Sequence, residues 1–282
     1  MKSSNYLRLY QDSLKQFLFS RRELERVFLT LESYQKISLL ENKKVGIYKH
    51  LKKLIPCFDV LLNVSRTNSL QSVITLFRMI VDNYAILYLF TNFSSTNEQL
   101  LRYYLYLLDA VNSRPKIIKD FSVNIKYKVP EETYRDANNA ILFDNKSSTE
   151  LLKIINQKQL NSLVNEKIID TSNWKYKDAK EINQNSNRYK WIELYAISRI
   201  PKHHAQMIQE YHSSFVHGLG ISLMSENDDN VIILLISVLD FCTIIMSLMI
   251  KIITTEYKEE TNNVLLNQKI NDFINDIWNN WN

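Results

Sequence analysis

Glycine is nearly missing from this chain: there are three in 282 residues, with only four prolines and two cysteines. Tight turns between strands draw on Gly, Asn-Gly and Pro, whereas long helices need few of them. The scarcity points to an all-α protein. It also argues against a Rossmann enzyme or a P-loop ATPase, because neither GxGxxG nor GxxxxGK occurs. Cys57 and Cys242 sit in separate apolar runs with no CxxC pair, which removes a zinc ribbon or a redox motif. Both are expected to be buried thiols in a reducing compartment. The first residues, Met-Lys-Ser-Ser-Asn-Tyr-Leu-Arg, lack the apolar core and cleavage site of a signal peptide, so a cytoplasmic location is expected.

What the chain does have is apolar content, 45% of residues, and an uneven charge. Residues 1–66 carry 13 Lys/Arg against 6 Asp/Glu, while the remaining residues carry 22 against 24. The excess gathers at Arg21, Arg22 and Arg26, then at Lys43, Lys44, Lys49, Lys52 and Lys53. Such a patch can meet a nucleic-acid backbone or an acidic membrane surface, and it can equally be a solvated helix face.

Apolar residues at spacings of three and four predict one or two helices over 4–41 and another over 44–66, where Pro56 introduces a kink or break. Asn68 or Ser69 can cap a helix running to about residue 92. Ser95-Thr-Asn-Glu98 and Ser147-Ser-Thr-Glu150 read as capping boxes before 100–111 and 151–155. Residues 112–190, polar and interrupted by Pro115 and Pro130, read as short helices and loops. Arg188–Ser198 is helical, Pro201 opens the next helix, and Gly218 ends it near Val216. Val231–Ile250 holds a single charge, Asp240, and reads as a core helix; its length also fits a membrane span, which Asp240 disfavours. The last helix, 264–281, is amphipathic. The expected organisation is a single all-helical domain over 1–282. It comprises basic N-terminal helices (1–66), core helices (67–111 and 188–255), a polar insertion (112–187) and a C-terminal amphipathic helix (256–282).

Polar residues inside apolar helices are the sharpest signal. Gln71, Thr75, Arg78 and Asp82 follow spacings of four, three and four and so share one face. A buried cation needs a carboxylate; Asp82 lies one turn away and Asp240 is a candidate across the bundle. Ser237, Asp240 and Ser247 form a second stripe. Tyr211, Ser214 and His217 form a third, near a helix C-terminus whose carbonyls favour a protonated imidazole. If the stripes converge, Arg, Asp, Tyr, Ser and His line one pocket that can hold a phosphate and move a proton. The alternative is a buried ion-pair network that fixes helix packing.

Other chemistries have less behind them. Ser214 and His217 can touch, but no strained nucleophile turn is visible. His203, His204, His212 and His217 fall close together without an HExxH, so no metal or other cofactor is expected. Arg199-Ile-Pro-Lys-His-His204 has the Arg-x4-His spacing of HEPN ribonucleases, with Ile200 where that pattern prefers a polar residue.

The Arg78-x3-Asp82 helix and the later Tyr211-x2-Ser214-x2-His217-Gly together resemble a group of bacterial all-helical proteins of unassigned function. That group is distantly similar to the HEPN superfamily, many of whose members are metal-independent ribonucleases or toxins in defence against phage. Asp82 stands where Glu is more usual. The resemblance implies a HEPN-like core in which His217 moves the proton and Arg78 holds the scissile phosphate. Asp82 would orient Arg78, and Tyr211 with Ser214 would orient His217. The basic residues 21–53 would hold RNA, and a homodimer would join two half-sites. The expected function is an RNA-binding or RNA-cleaving effector. The alternative is a non-catalytic helical interaction or sensor subunit of a multi-protein system; the expected partners are RNA and a second copy or a partner protein of a defence system, and membrane association is disfavoured.

Overall fold

A computed structural model describes residues 2–66, 69–124, 131–200, 205–206, 208, 228–262, 264, 266 and 268–280. All regular structure among them is helical. In chain order the α-helices are α1 (Lys2–Leu29), α2 (Lys43–Ser65), α3 (Leu70–Thr91), α4 (Thr96–Asn124), α5 (Glu131–Gln157), α6 (Glu166–Asp170), α7 (Trp191–Ile197), α8 (Asp228–Glu256), α9 (Lys258–Thr261) and α10 (Gln268–Asn280). Short 3-10 turns occupy Glu32–Lys36 and Leu160–Leu163. The chain divides into two compact units: Met1–Phe93 together with Lys190–Asn282, and Ser94–Tyr189.

The first unit is built around α8. This helix is apolar on every side because α1, α2, α3 and α10 all pack on it. Its hydroxyls are satisfied internally: Ser237, Thr243 and Ser247 each donate to the carbonyl four residues earlier. The core joins Phe17, Leu24 and Val27 of α1 with Leu51 and Phe58 of α2, Phe77 and Ile80 of α3, and Phe241, Ile245 and Met249 of α8. Each such side chain contributes about 1.5–3 kcal/mol through burial. α1 and α8 run parallel, since Ser20 shares a cleft with Thr243 and Tyr34, beyond α1, donates to Glu260, beyond α8. Pro56 lies inside α2 without ending it, and Asn42 caps that helix by accepting from the Lys44 amide at 2.9 Å.

The second unit has a core of its own. Of residues 112–190, expected as short helices and loops, the stretch after Gln157 is of that kind, but 112–157 is not. α4 continues through Pro115 to Asn124, and α5 spans 27 residues. The two form an antiparallel pair: Arg114 of α4 grips the buried Asp144 of α5, and Ser148 donates to Asn112 at 2.9 Å. The expected cap at Ser147–Glu150 is therefore mid-helix. Thr149 donates to the Asn145 carbonyl there instead of starting a turn, so hydroxyl residue types alone did not mark a helix end. Leu101, Tyr104, Leu105 and Leu108 meet Leu151, Ile155 and Trp174 in this core.

Two described helices are long and apolar enough to cross a membrane, Leu70–Thr91 and Val231–Glu256, with mean hydropathies of 1.5 and 2.6. More than half of the apolar window of each is buried within the protein, as in a core helix.

Candidate anion-binding site

Arg78 and Asp82 occupy the same face of α3, where their spacing places them. Gln71 and Thr75, the other members of that stripe, are exposed, and Thr75 donates back to the Gln71 carbonyl at 2.8 Å. Only the Arg78–Asp82 half of the stripe is drawn under cover, with side-chain exposures of 15% and 24%. The cover is α7. Its start is fixed by Glu193, which accepts from the Lys190 amide at 2.6 Å, and it lays the fully buried Tyr195 against α3.

The Tyr195 hydroxyl donates to Asp82 Oδ1, while Arg78 Nε lies 3.8 Å from Asp82 Oδ2. Burial, and next the Asp82 carboxylate, push the Tyr195 phenol well above its ordinary range, against the pull of Arg78. Tyr195 is thus a permanent donor and Asp82 a committed acceptor. Arg78 Nη1 is buried and has no hydrogen-bond partner among the described residues. A buried, unmatched N–H costs about 1–3 kcal/mol, and an incoming oxyanion would remove that cost.

One turn further along, the chain leaves α7 through a tight reversal. Ile200 N–H donates to the Tyr195 carbonyl at 3.1 Å, and Arg199 adopts φ 63° where glycine is usual. The strained position aims Arg199 at Tyr88, whose hydroxyl lies 3.3 Å from Arg199 Nε. Tyr84 ties the same turn down by donating to the Ser198 carbonyl at 3.0 Å. Arg199 is the first residue of the Arg-x4-His spacing; its partner His204 lies outside the described residues.

Asp82, and not Asp240, is the carboxylate that pairs with Arg78. The hydroxyls of the second stripe, Ser237 and Ser247, are spent on α8 itself and do not turn toward Arg78. Tyr211, Ser214 and His217 lie outside the described residues, as do Gly218 and the histidines at 203, 204 and 212. No cluster of three metal-ligating side chains occurs among the described residues. Sequence reasoning missed Tyr195: a tyrosine in a short helix carries no periodic signal that it faces α3.

The basic residues separate into two groups. Arg21 is buried and bonded to Asp59 at 2.6 Å and Glu25 at 3.1 Å, and Arg26 meets Glu23 at 2.7 Å. Lys43 is buried between Glu256 at 3.0 Å and the Phe90 carbonyl at 3.1 Å, and Lys44 reaches Glu260 at 3.3 Å. These lysines, with Tyr34 and Tyr257, lock the start of α2 to the end of α8. Arg22, Lys52 and Lys53 are exposed and Lys49 is half-buried; among the described residues none of the four forms an ion pair. Cys57 is partly exposed and donates to the Lys53 carbonyl at 3.3 Å, whereas Cys242 is fully buried.

Fold and site together define an all-helical protein with a covered arginine–carboxylate–tyrosine cluster. No protein-family model, curated protein or solved structure matches the chain.

Proposed function

We propose that this protein is a HEPN-like effector that binds RNA or cleaves it without a metal, acting in the cytoplasm in antiphage defence or as a toxin. The observation that carries the reading is Arg78: a covered cation, steered by Asp82 and Tyr195, with an outer N–H that lacks an acceptor among the described residues. That arrangement suits a phosphate whose charge grows during cleavage. In the proposed reaction the ribose 2′-oxygen loses its proton and attacks phosphorus, the bond to the 5′-oxygen breaks, and that oxygen leaves protonated. His217 moves the proton, with Tyr211 and Ser214 orienting it. Arg22, Lys49, Lys52 and Lys53 are the cations available to an RNA backbone, and a homodimer joins two half-sites.

The test incubates wild-type, Arg78→Ala and His217→Ala proteins with cellular RNA in the presence of a chelator. Fragments ending in 2′,3′-cyclic phosphate from wild-type alone support the reading. RNA left uncut and unbound at low salt overturns it. A second reading, a non-catalytic interaction or sensor subunit, is favoured by the internal pairing of Arg21, Lys43 and Lys44. It expects Arg78→Ala to lower the melting temperature sharply and to leave RNA retention unchanged.

A further inference from the structure

Helix α5 has two unlike faces. The inner one packs on α4 within the second unit, where Asp144, Leu151 and Ile155 are fully buried. At 3.6 residues per turn, Arg135, Asn139, Leu142, Lys146, Glu150 and Lys153 fall on the side away from Asp144, and all six are exposed. Leu142 and its neighbour Phe143 are each 65% exposed, among the most exposed large apolar side chains described. Asp144, on the inner face, is held by Arg114. Among the described residues Glu132, Arg135, Lys146, Glu150 and Lys153 form no ion pair, either with one another or with a neighbouring element.

Exposed apolar residues are ordinary, and Leu142 with Phe143 alone would select no partner. The charges around them do. Arg135 stands seven positions before Leu142, and Glu150 seven after Phe143. Glu132 stands ten before and Lys153 ten after. Three positions out on either side are Asn139 and Lys146, a neutral amide and a cation. The two outer charges on one side thus meet their opposites at the mirrored distance on the other. A two-fold axis between Leu142 and Phe143 would lay α5 antiparallel to the α5 of a second copy. It would set Arg135 against Glu150 and Glu132 against Lys153, each pair twice. Parallel pairing would oppose like charges at all four positions. The axis falls near the middle of a helix spanning Glu131–Gln157, so the whole outer face can take part.

We propose that the outer face of α5 is a surface through which two copies of this chain pair, antiparallel and centred on Leu142 and Phe143. The apolar side chains of both copies supply the attraction, and the charges fix direction and register. Exposed ion pairs are individually weak, and one helix face is small beside a permanent interface, so association in the micromolar range is expected. α5 holds none of Arg78, Asp82 or Tyr195, so this pairing does not rest on the RNA reading and is separate from the joining of half-sites in it.

Sedimentation equilibrium of the full chain reads the monomer–dimer constant, and wild-type should dimerise as concentration rises. Leu142→Gln/Phe143→Gln should weaken association at least about tenfold while the melting temperature of the dilute chain is maintained, since both side chains are exposed. Arg135→Glu and Glu150→Arg should each weaken it by about tenfold, because each sets like charges together twice. Carrying both changes in one chain, or mixing the two single variants, should restore it. Within one helix these residues are about 22 Å apart, so the rescue acts between copies. A wild-type chain that stays monomeric overturns the proposal and leaves the face to another partner. A dimer that survives the glutamine substitutions also overturns it, because it uses a different surface, and leaves the RNA reading intact. A charge exchange that fails to rescue overturns the antiparallel register.

Discussion

Two covered arginines, one in each unit, show how differently the same side chain can be used. Arg102 in the Ser94–Tyr189 unit is 1% exposed. Its Nη1 donates to the Trp174 and Tyr176 carbonyls at 3.0 and 3.1 Å, and its Nη2 meets Glu98 at 2.8 Å. The guanidinium also lies 3.6 Å over the Tyr176 ring, and only Nε lacks an acceptor. Nη1 and the stacked ring hold the loop after α6 against α4, while Nη2 is matched within α4 by Glu98. Arg78 has one carboxylate at 3.8 Å, an unmatched terminal nitrogen and a side chain that remains 15% exposed. An arginine whose terminal nitrogens are all matched within the fold is structural; one left short of acceptors at a partly open face suits the ligand-binding role proposed for Arg78.

The largest expected effect breaks that contrast on the structural side. Arg102→Ala leaves two loop carbonyls without their donor and Glu98 without its cation, and should cost about 3–5 kcal/mol. Denaturant unfolding should show the loss, and Arg102→Lys should restore little of it because one ammonium cannot replace the stacked fork. Arg78→Ala should do the reverse. RNA cleavage should fall by about 10²–10³-fold while the melting temperature moves less than in Arg102→Ala. If the two substitutions destabilise equally, the contrast fails.

Tyr195→Phe sharpens the comparison within the site. It removes the donor to Asp82 and should cost about 1–3 kcal/mol, toward the lower end because Asp82 keeps some access to water. Arg78 then loses its steering, so phosphate affinity should fall with it.

A smaller effect concerns pH. Burial pushes the Glu98 carboxyl upward, but the hydrogen bond and charge of Arg102 outweigh it and hold the group below the ordinary glutamate range. A depressed folded value means that the stabilisation is complete above the unfolded value, about 4.3, and is lost as pH falls through the lower folded one. Melting curves should therefore show the wild-type advantage over Glu98→Gln at neutral pH shrinking in acid. An advantage that grows on acidification would reverse the sign of this argument. The smallest effect is electrostatic: Lys52→Gln and Lys53→Gln should each reduce the salt dependence of RNA binding by about 0.7 in slope and leave stability unchanged.

The helical class was legible in the composition, and so were individual elements. α3 begins and ends within a residue or two of its expected limits because its apolar run is a local feature; Ser69 stands at the N-cap position but makes no side-chain capping bond. α5 was not legible. Its Asn and Ser residues favour turns locally, and its ties are distant: Arg114, thirty positions away, grips Asp144, and Leu151 and Ile155 are buried in the core. The loop 171–189 is similar. Asn187 accepts from the Lys177 and Asp178 amides at 2.9 and 2.7 Å, and Asn173 donates to the Asn187 carbonyl at 2.7 Å. Asparagines that read only as loop polarity are the ties of a folded loop.

The basic patch carries the same lesson for function. Eight cations counted along the N-terminal region look alike in sequence, but charge is neutralised by neighbours in space. Glu256 and Glu260 come from the far end of the chain to meet Lys43 and Lys44, and Asp59 crosses from α2 to meet Arg21.

By itself the sequence determined the secondary-structure class, the shared face of Arg78 and Asp82 and the apolar character of α8, because each depends on residues within a few turns of one helix. Tertiary structure decided which cations are consumed, that Tyr195 fastens Asp82, and that Ser94–Tyr189 has its own core. Those outcomes depend on partners tens to hundreds of residues apart. Local spacing carries no record of which distant side chain will satisfy a buried charge.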